Sequence, residues 1–262
     1  MLKNLVVSTC RPFELDDYKS CDKNVLVISP HPDDDVIGAG GTMVLLAKKG
    51  YDVFSLYVSN GSSTISPGKD IHLIRKKEAV AALRVVKAKG GIFLDFKSSH
   101  ITGPSNLEVI RGIRMVLSFF RPGAVYIPSP FERHKTHCRV TEYSVRALRQ
   151  IKDYCPQLMG YHVWGGVWGL PKTSSVDISS VIHLKRKAIR KHKSQLSFKP
   201  YDAGIVSRNR FEGVFLETHK PERFEYAETF LDMGQLLANR RLRLNTFAKS
   251  ILDSFLIKAY NN

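Results

Sequence analysis

The sequence predicts a three-layer α/β fold with a mostly parallel sheet, and three observations carry that expectation. Short, apolar, β-branched runs recur at 24–28, 53–58, 92–94 and 124–127. Helical patterns with start and stop signals lie between them. The strand runs are continuously apolar rather than alternating, as in a sheet covered on both faces. Repeated strand–helix–strand units with right-handed crossovers put helices on both sides of the sheet, so function is expected at the carboxyl ends of the strands.

The elements follow in order. Strand 24–28 leads to a glycine-bounded segment from Gly41 to Gly50, then to strand 53–58. A longer helix spans about 70–89, opened by Asp70 as N-cap and closed by Gly90-Gly91, ahead of strand 92–94. Another covers 106–120, with Asn106 as N-cap and Arg121-Pro122 as its stop, before strand 124–127. Cap residues satisfy free amides at a helix start, and glycine or proline marks its end. Beyond about residue 160 the pattern weakens: 161–168 reads as a strand with a bulge, and 180–196 as a basic helix. On that helix Val181, Leu184, Ala188, His192 and Gln195 recur at spacings of three and four and share one face, while Lys185, Arg186, Lys187, Arg190 and Lys193 mostly point elsewhere. No repeat, low-complexity tract or linker divides the chain, so a single domain over 1–262 is expected, less regular from about 160.

Composition bounds the function classes. With 43% hydrophobic and 24% charged residues among 262, the chain has material for a core, which excludes intrinsic disorder. Four cysteines, Cys10, Cys21, Cys138 and Cys155, form no C-x-x-C pair and are too sparse for a disulfide scaffold. The first ten residues lack the apolar core of a signal peptide, and no run is long enough to span a bilayer. A reducing, cytoplasmic setting without a transmembrane segment is the expectation. Against 24 Asp+Glu stand 40 Lys+Arg, a formal charge of +16, concentrated at Arg75-Lys76-Lys77, from Lys185 to Lys193 and at Arg240-Arg241-Leu242-Arg243. Such runs are commonly solvated helix faces, yet they make an anionic substrate or surface plausible.

The first strand runs into Ser29-Pro30-His31-Pro32-Asp33-Asp34-Asp35, a histidine and three carboxylates at a strand end. Carboxylates so crowded repel unless a cation lies among them; the bland alternative is an acidic turn capping the next helix. The fourth strand ends at Ile127-Pro128 and leads to Glu132-Arg133-His134-Lys135-Thr136-His137. If the two strands are close in the sheet, their ends jointly present His31, Asp34, His134 and His137, donor types that suit zinc with an open fourth position.

The run from Pro30 to Gly41 resembles the opening motif of the LmbE-like and PIG-L-like zinc-dependent N-deacetylases. The resemblance continues through Arg75-x-x-Glu78, Arg121-Pro122, His134-x-x-His137, His192-x-Ser194-Gln195 and Ala227-Glu228-Thr229-Phe230, about residues 24–230. It implies a Rossmann-like fold and hydrolysis of an acetamide on an amino sugar or its conjugate, releasing acetate and a free amine. By motif position it implies Zn2+ held by His31, Asp34 and His137, Asp33 as general base, and His134 as stabiliser or proton donor at the reacting centre. That division is chemically sound: a cation polarises the carbonyl and acidifies water while a nearby carboxylate takes the proton. Two positions depart from the family pattern: Asp35 stands where Glu is usual, and Thr136 where many members have Asp.

Arg75 and His192 are expected at the substrate, each with a plainer reading: an i,i+3 ion pair with Glu78 for Arg75, and a core histidine with a satisfied hydrogen bond for His192. Glu228 is expected to complete the site or cap the final helix, and Gly38, Gly40 and Gly41 to let the backbone pass close to the metal turn. Specificity is expected in the loops 60–69, 96–105 and 161–175, where glycines beside Trp164 and Trp168 suit either sugar stacking or core packing. The expected partner is a small N-acetyl sugar or sugar conjugate, with self-association left open. Two competing readings stand beside this one: a metal-dependent nucleotide-sugar transferase using the acidic turn, and a basic nucleic-acid-binding protein. No recognised nucleic-acid-binding motif supports the latter.

Overall fold

The computed structural model describes residues 6–9, 22–62, 70–103, 106–166, 173–215, 224–239, and 246, 247 and 249. Eight strands form one sheet: β1 Val6–Thr9, β2 Asn24–Ser29, β3 Asp52–Ser59, β4 Gly90–Phe96, β5 Ala124–Pro128, β6 Gln157–Tyr161, β7 Thr173–Asp177 and β8 Ala227–Asp232. Their spatial order is β1-β4-β3-β2-β5-β6-β8-β7. The central five, β4 to β6, are parallel, whereas β1 joins β4, and β8 joins both β6 and β7, in antiparallel pairs. The chain moves outward from β2 through β3 to β4, then returns to the other side of β2 with β5. That reversal makes the β2/β5 boundary a topological switch point, where loops diverge above the strand ends and leave a crevice.

Strand residues alternate between two cores. Leu26 and Ile28 of β2 face one side with α4 (Leu107–Phe120) and α5 (Lys135–Arg149), while Val25 and Val27 face the other with α1 (Asp34–Lys48), α2 (Ile71–Val85) and α6 (Ile182–Ile189). The remaining helices are short α3 (Ser98–Thr102), α7 (Lys193–Leu196) and α9 (Gln235–Ala238), and α8 (Tyr201–Phe215). The expected three-layer α/β architecture is therefore present. Helix α4 shows why such segments fold: Val109, Ile110, Ile113, Val116, Leu117 and Phe120 form one buried stripe, and Arg121 in the left-handed region followed by Pro122 ends the helix.

Several boundaries differ from expectation. Helix α1 starts at Asp34, not Gly41, which lies inside it, whereas Gly50 does bound it, in the left-handed region just past the cap residue Lys49. A Cβ on Gly38 would sit 2.2 Å from the Tyr161 ring; close packing, not passage beside the metal turn, explains this glycine, and it outweighs the helix-propensity cost. Gly90 and Gly91 open β4 instead of stopping α2, which ends at Val85. β6 finishes at Tyr161, so 162–166 is loop and the expected strand 161–168 does not form there; 167–172 lie outside the described residues. The expected helix 180–196 breaks into a 3-10 turn (Ser179–Val181), α6 and α7, with His192 in the break. The basic run 240–243 and Cys10 and Cys21 also lie outside the described residues. No described helix is long and apolar enough to cross a membrane.

Candidate active site

The turn after β2 converges with the loop after β5. Ser29 Oγ donates to the His31 carbonyl at 2.6 Å and accepts from the Asp35 amide at 3.1 Å, while the Asp33 amide closes onto the His31 carbonyl at 2.8 Å. This turn sends three consecutive carboxylates in three directions. Asp34 goes to the two histidines: His31 Nδ1 lies 2.9 Å and His137 Nε2 3.2 Å from its Oδ2, and the two nitrogens are 3.2 Å apart. Asp33 goes to Arg75 Nη2 at 2.9 Å and receives the Tyr201 hydroxyl at 3.3 Å. Asp35, fully buried, accepts Ser55 Oγ at 2.6 Å and Tyr57 OH at 2.7 Å from β3. Asp33 occupies the N-cap position of α1 but makes no side-chain cap bond, so capping does not account for the acidic turn.

His137 belongs to the first turn of α5, and His134 is that helix's N-cap residue in extended conformation. The His134 ring stands 5.1 Å from His31, nearly perpendicular, and 4.8 Å from His137. The ligand nitrogens of His31, His134 and His137 all lie within 4.8 Å of one another. The tightest triad, however, is His31 Nδ1, Asp34 Oδ2 and His137 Nε2. Its edges of 2.9, 3.2 and 3.2 Å are close to the roughly 3.3 Å edge of a tetrahedron with bonds of about 2.0–2.1 Å. The residues present therefore fit a small divalent cation in geometry and donor type.

The electrostatics agree. Burial alone would raise the Asp34 pKa, but the charges of His137 and His31 hold it well below the usual range. Burial likewise disfavours charge on His137, yet Asp34 and Glu132 outweigh it and push it up to about 10. Two carboxylates thus hold a positive charge at this point, by a proton where no cation does so. Partial burial and then the neighbouring His31 and His137 push His134 down to about 4.

Arg75 is buried, and its second nitrogen donates to the Gly61 carbonyl at 2.9 Å. It pairs with Asp33, not with Glu78, correcting the i,i+3 reading. Glu78 instead accepts the Ser194 amide at 2.8 Å and hydroxyl at 2.6 Å, tying α2 to α7. His192 is fully buried, as its apolar spacing indicated, but neither ring nitrogen has a hydrogen-bond partner. The satisfied core histidine is therefore not what the fold contains. Burial pushes His192 down to about 4, and it lies within electrostatic reach of Asp33, Arg75 and Asp34.

Glu228 neither completes this site nor caps a helix. From β8 it receives the Lys185 ammonium at 2.6 Å and the Gly41 and Thr42 amides at 2.8 Å each. Lys185 is accordingly fully buried, against the expectation that it points outward. Tyr201 and Glu132 were not singled out for roles. Tyr201 is 168 residues from Asp33 and gives no local signal; burial and then the Asp33 charge raise its pKa, so it stays protonated and donates. Glu132, five residues before His137, takes His137 Nδ1 at 3.1 Å. A carboxylate behind His137 was inferable from its expected ligand role, since metal-binding histidines commonly need an orienting acceptor. Of the expected specificity loops, 63–69, 104–105 and 167–172, including Trp168, lie outside the described residues.

Comparison with known proteins gives a consistent picture. Residues 26–148 match the family model described as PIG-L, GlcNAc-PI de-N-acetylase. The chain is 28% identical over 227 residues to diacetylchitobiose deacetylase of Thermococcus kodakarensis, covering 79% of this chain and 81% of that protein. Among solved structures it is similar to N,N'-diacetylchitobiose deacetylase from Pyrococcus horikoshii, with TM-score 0.66, 24% identity and coverage of 83% and 86%. It is also similar to GalB, a 4-carboxy-2-hydroxymuconate hydratase from Pseudomonas putida, with TM-score 0.64, 19% identity and coverage of 80% and 95%. The same backbone thus serves a deacetylase and a hydratase, so the reaction has to be argued from side chains.

Proposed function

From the match of residues 26–148 to the PIG-L family model, we propose that this chain is a PIG-L/LmbE-like deacetylase and a zinc-dependent hydrolase. It removes the acetyl group from an N-acetylated amino sugar or its conjugate, releasing acetate and a free amine. The observation that carries this reading is the His31–Asp34–His137 triad with edges of 2.9–3.2 Å at the sheet's switch point, with Asp33 beside it. The N-acetyl sugar follows the deacetylases named among its relatives. A nucleotide-sugar transferase using only the acidic turn has no use for the two histidines that the second loop brings to it.

His31, Asp34 and His137 would hold the ion. When bound, it supplies polarisation of the amide carbonyl and acidification of water near neutral pH. Asp33 takes the proton from the attacking water as its oxygen adds to the acyl carbon. Arg75 and Tyr201 hold the Asp33 carboxylate in place through both its oxygens. His134, the exposed histidine of the cluster, donates a hydrogen bond to the oxygen that gains negative charge. The C–N bond then breaks, and the proton gathered by Asp33 goes to the leaving nitrogen. Behind Asp33 the buried, unpartnered His192 lies within electrostatic reach of both Asp33 and Arg75.

The test is metal content and acetate release measured together on N,N'-diacetylchitobiose and related N-acetyl sugars. The expected result is about one zinc per chain, as one three-ligand site implies, lost in His137→Ala, and Asp33→Asn that keeps the metal but not turnover. Full activity in Asp33→Asn removes the base assignment, and a protein that takes up no zinc removes the whole reading.

A further inference from the structure

One buried carboxylate near the site has no part in that chemistry. Glu132 lies between the metal triad and the loop that follows β6, its side chain fully inaccessible to solvent. Its Oε2 takes His137 Nδ1 at 3.1 Å and the Trp164 amide at 3.2 Å; its Oε1 takes the Val163 amide at 2.6 Å and the Gly165 amide at 3.3 Å. Three successive backbone amides thus converge on the carboxylate that also orients a metal-ligand histidine. Consecutive amides turned inward form an anion-binding concavity. Here the anion is supplied by the chain itself.

The loop is shaped for this contact. A Cβ on Gly165 would meet the Phe131 carbonyl oxygen at 2.7 Å and Glu132 Oε1 at 3.5 Å, so only glycine brings this amide so near. Trp164, half exposed, projects from the same loop and meets the ring of Tyr201, whose hydroxyl donates to Asp33. Glu132 therefore stands at a junction: one side fixes which nitrogen of His137 is free to ligate, and the other fixes the segment bordering Tyr201 and Asp33.

We propose that Glu132 is a positioning residue that couples ion binding at His137 to the conformation of the Trp164 loop. With Nδ1–H donated to Glu132, His137 presents Nε2 as a lone pair toward Asp34 and His31. An ion on Nε2 makes the Nδ1–H a stronger donor, holds the carboxylate in place, and thereby holds the three amides. Coupling of this kind is reciprocal: whatever loosens the loop weakens the ion, and the reverse. The proposal rests on the metal reading but not on the identity of the substrate.

The reporter is built in, because Trp164 lies in this loop and the chain's other tryptophan, Trp168, is only four residues further along the sequence. Full-length protein is stripped with a chelator and titrated with Zn2+, which is d10 and redox-inactive, while tryptophan emission and bound zinc are followed together. In wild type the emission changes along the binding curve. In Glu132→Gln, which keeps the volume but cannot accept from His137 while serving the amides in the same way, zinc affinity falls about 10–100-fold. Its emission no longer follows zinc even at saturation. Gly165→Ala disturbs the junction from the loop side with every ligand intact, and lowers zinc affinity several-fold with circular dichroism unchanged. Wild-type affinity in Gly165→Ala, or a wild-type emission change in saturated Glu132→Gln, overturns the coupling while leaving the metal site standing. No zinc binding by the wild type overturns both.

Discussion

Replacing His192 by phenylalanine removes an ionisable group whose cost can be read from its surroundings. Its imidazole is fully buried, with both nitrogens unpartnered, and burial pushes it down from 6.5 to about 4. In the unfolded chain it titrates near 6.5, so between about pH 6.5 and 4 the unfolded state binds the extra proton and the folded state does not. Stability therefore rises with pH across this window and is lost as the solution is acidified. A gap of about 2.5 pH units at ~1.36 kcal/mol each gives roughly 3 kcal/mol for this one group. Phenylalanine has similar size and no proton to bind. Urea unfolding of zinc-free wild type and His192→Phe from pH 7.5 to 4 should give curves that diverge below pH 6.5, the variant losing about 3 kcal/mol less. Taking the difference removes the other titrating groups that the two proteins share. Parallel curves would refute the reasoning and mean that His192 is charged or hydrogen-bonded when folded.

The Asp33 partner and the buried lysine give two more expectations. Arg75→Leu should keep zinc content and lower kcat about 10–100-fold, because a loosely held base misses its geometry; Arg75→Lys should recover little, lacking the guanidinium fork. Steady-state kinetics alongside metal analysis decides this, and wild-type kcat in Arg75→Leu would remove its positioning role. Lys185→Met leaves Glu228 buried with only the Gly41 and Thr42 amides. Breaking a buried pair from one side costs about 3 kcal/mol, roughly 6 °C in Tm for a chain of this size. The double variant with Glu228→Gln should regain most of that in calorimetry.

The alternation of strands and helices was legible because β-branched runs, apolar stripes and stop residues act locally, as the match of 106–120 with α4, ended by Arg121-Pro122, shows. The start of helix α1 was misplaced because Gly41 read as a boundary, while its real constraint is the Ile178 side chain, more than a hundred residues away. Apolar spacing carried the expected basic helix straight across the break at His192, since periodicity cannot register a turn that keeps its buried face. The same limit hid Lys185: nothing near it announces Glu228, 43 residues on. At the site, strand ends at a switch point brought His31, Asp34, His134 and His137 forward as a group, and the family resemblance singled out His31, Asp34 and His137 among them. Tyr201 could not, because its link to Asp33 exists only once α8 is docked. Arg75 was found but given the wrong neighbour, because Glu78, three residues on, is nearer in sequence than Asp33, the carboxylate it actually meets.

Asp33, Asp34 and Asp35 are the same amino acid, so nothing in their chemistry distinguishes one from another. What tells them apart is where the turn after β2 passes into α1, between Asp33 and Asp34. Along a helix each step rotates a side chain by about 100°, so a single-residue deletion ahead of Val36 would leave two aspartates in the text of the protein and reassign both. The division of labour is thus written in the backbone's phase. Residue-by-residue substitution would read these positions as three independent aspartates, whereas shortening or lengthening the turn by one would scramble them as a set.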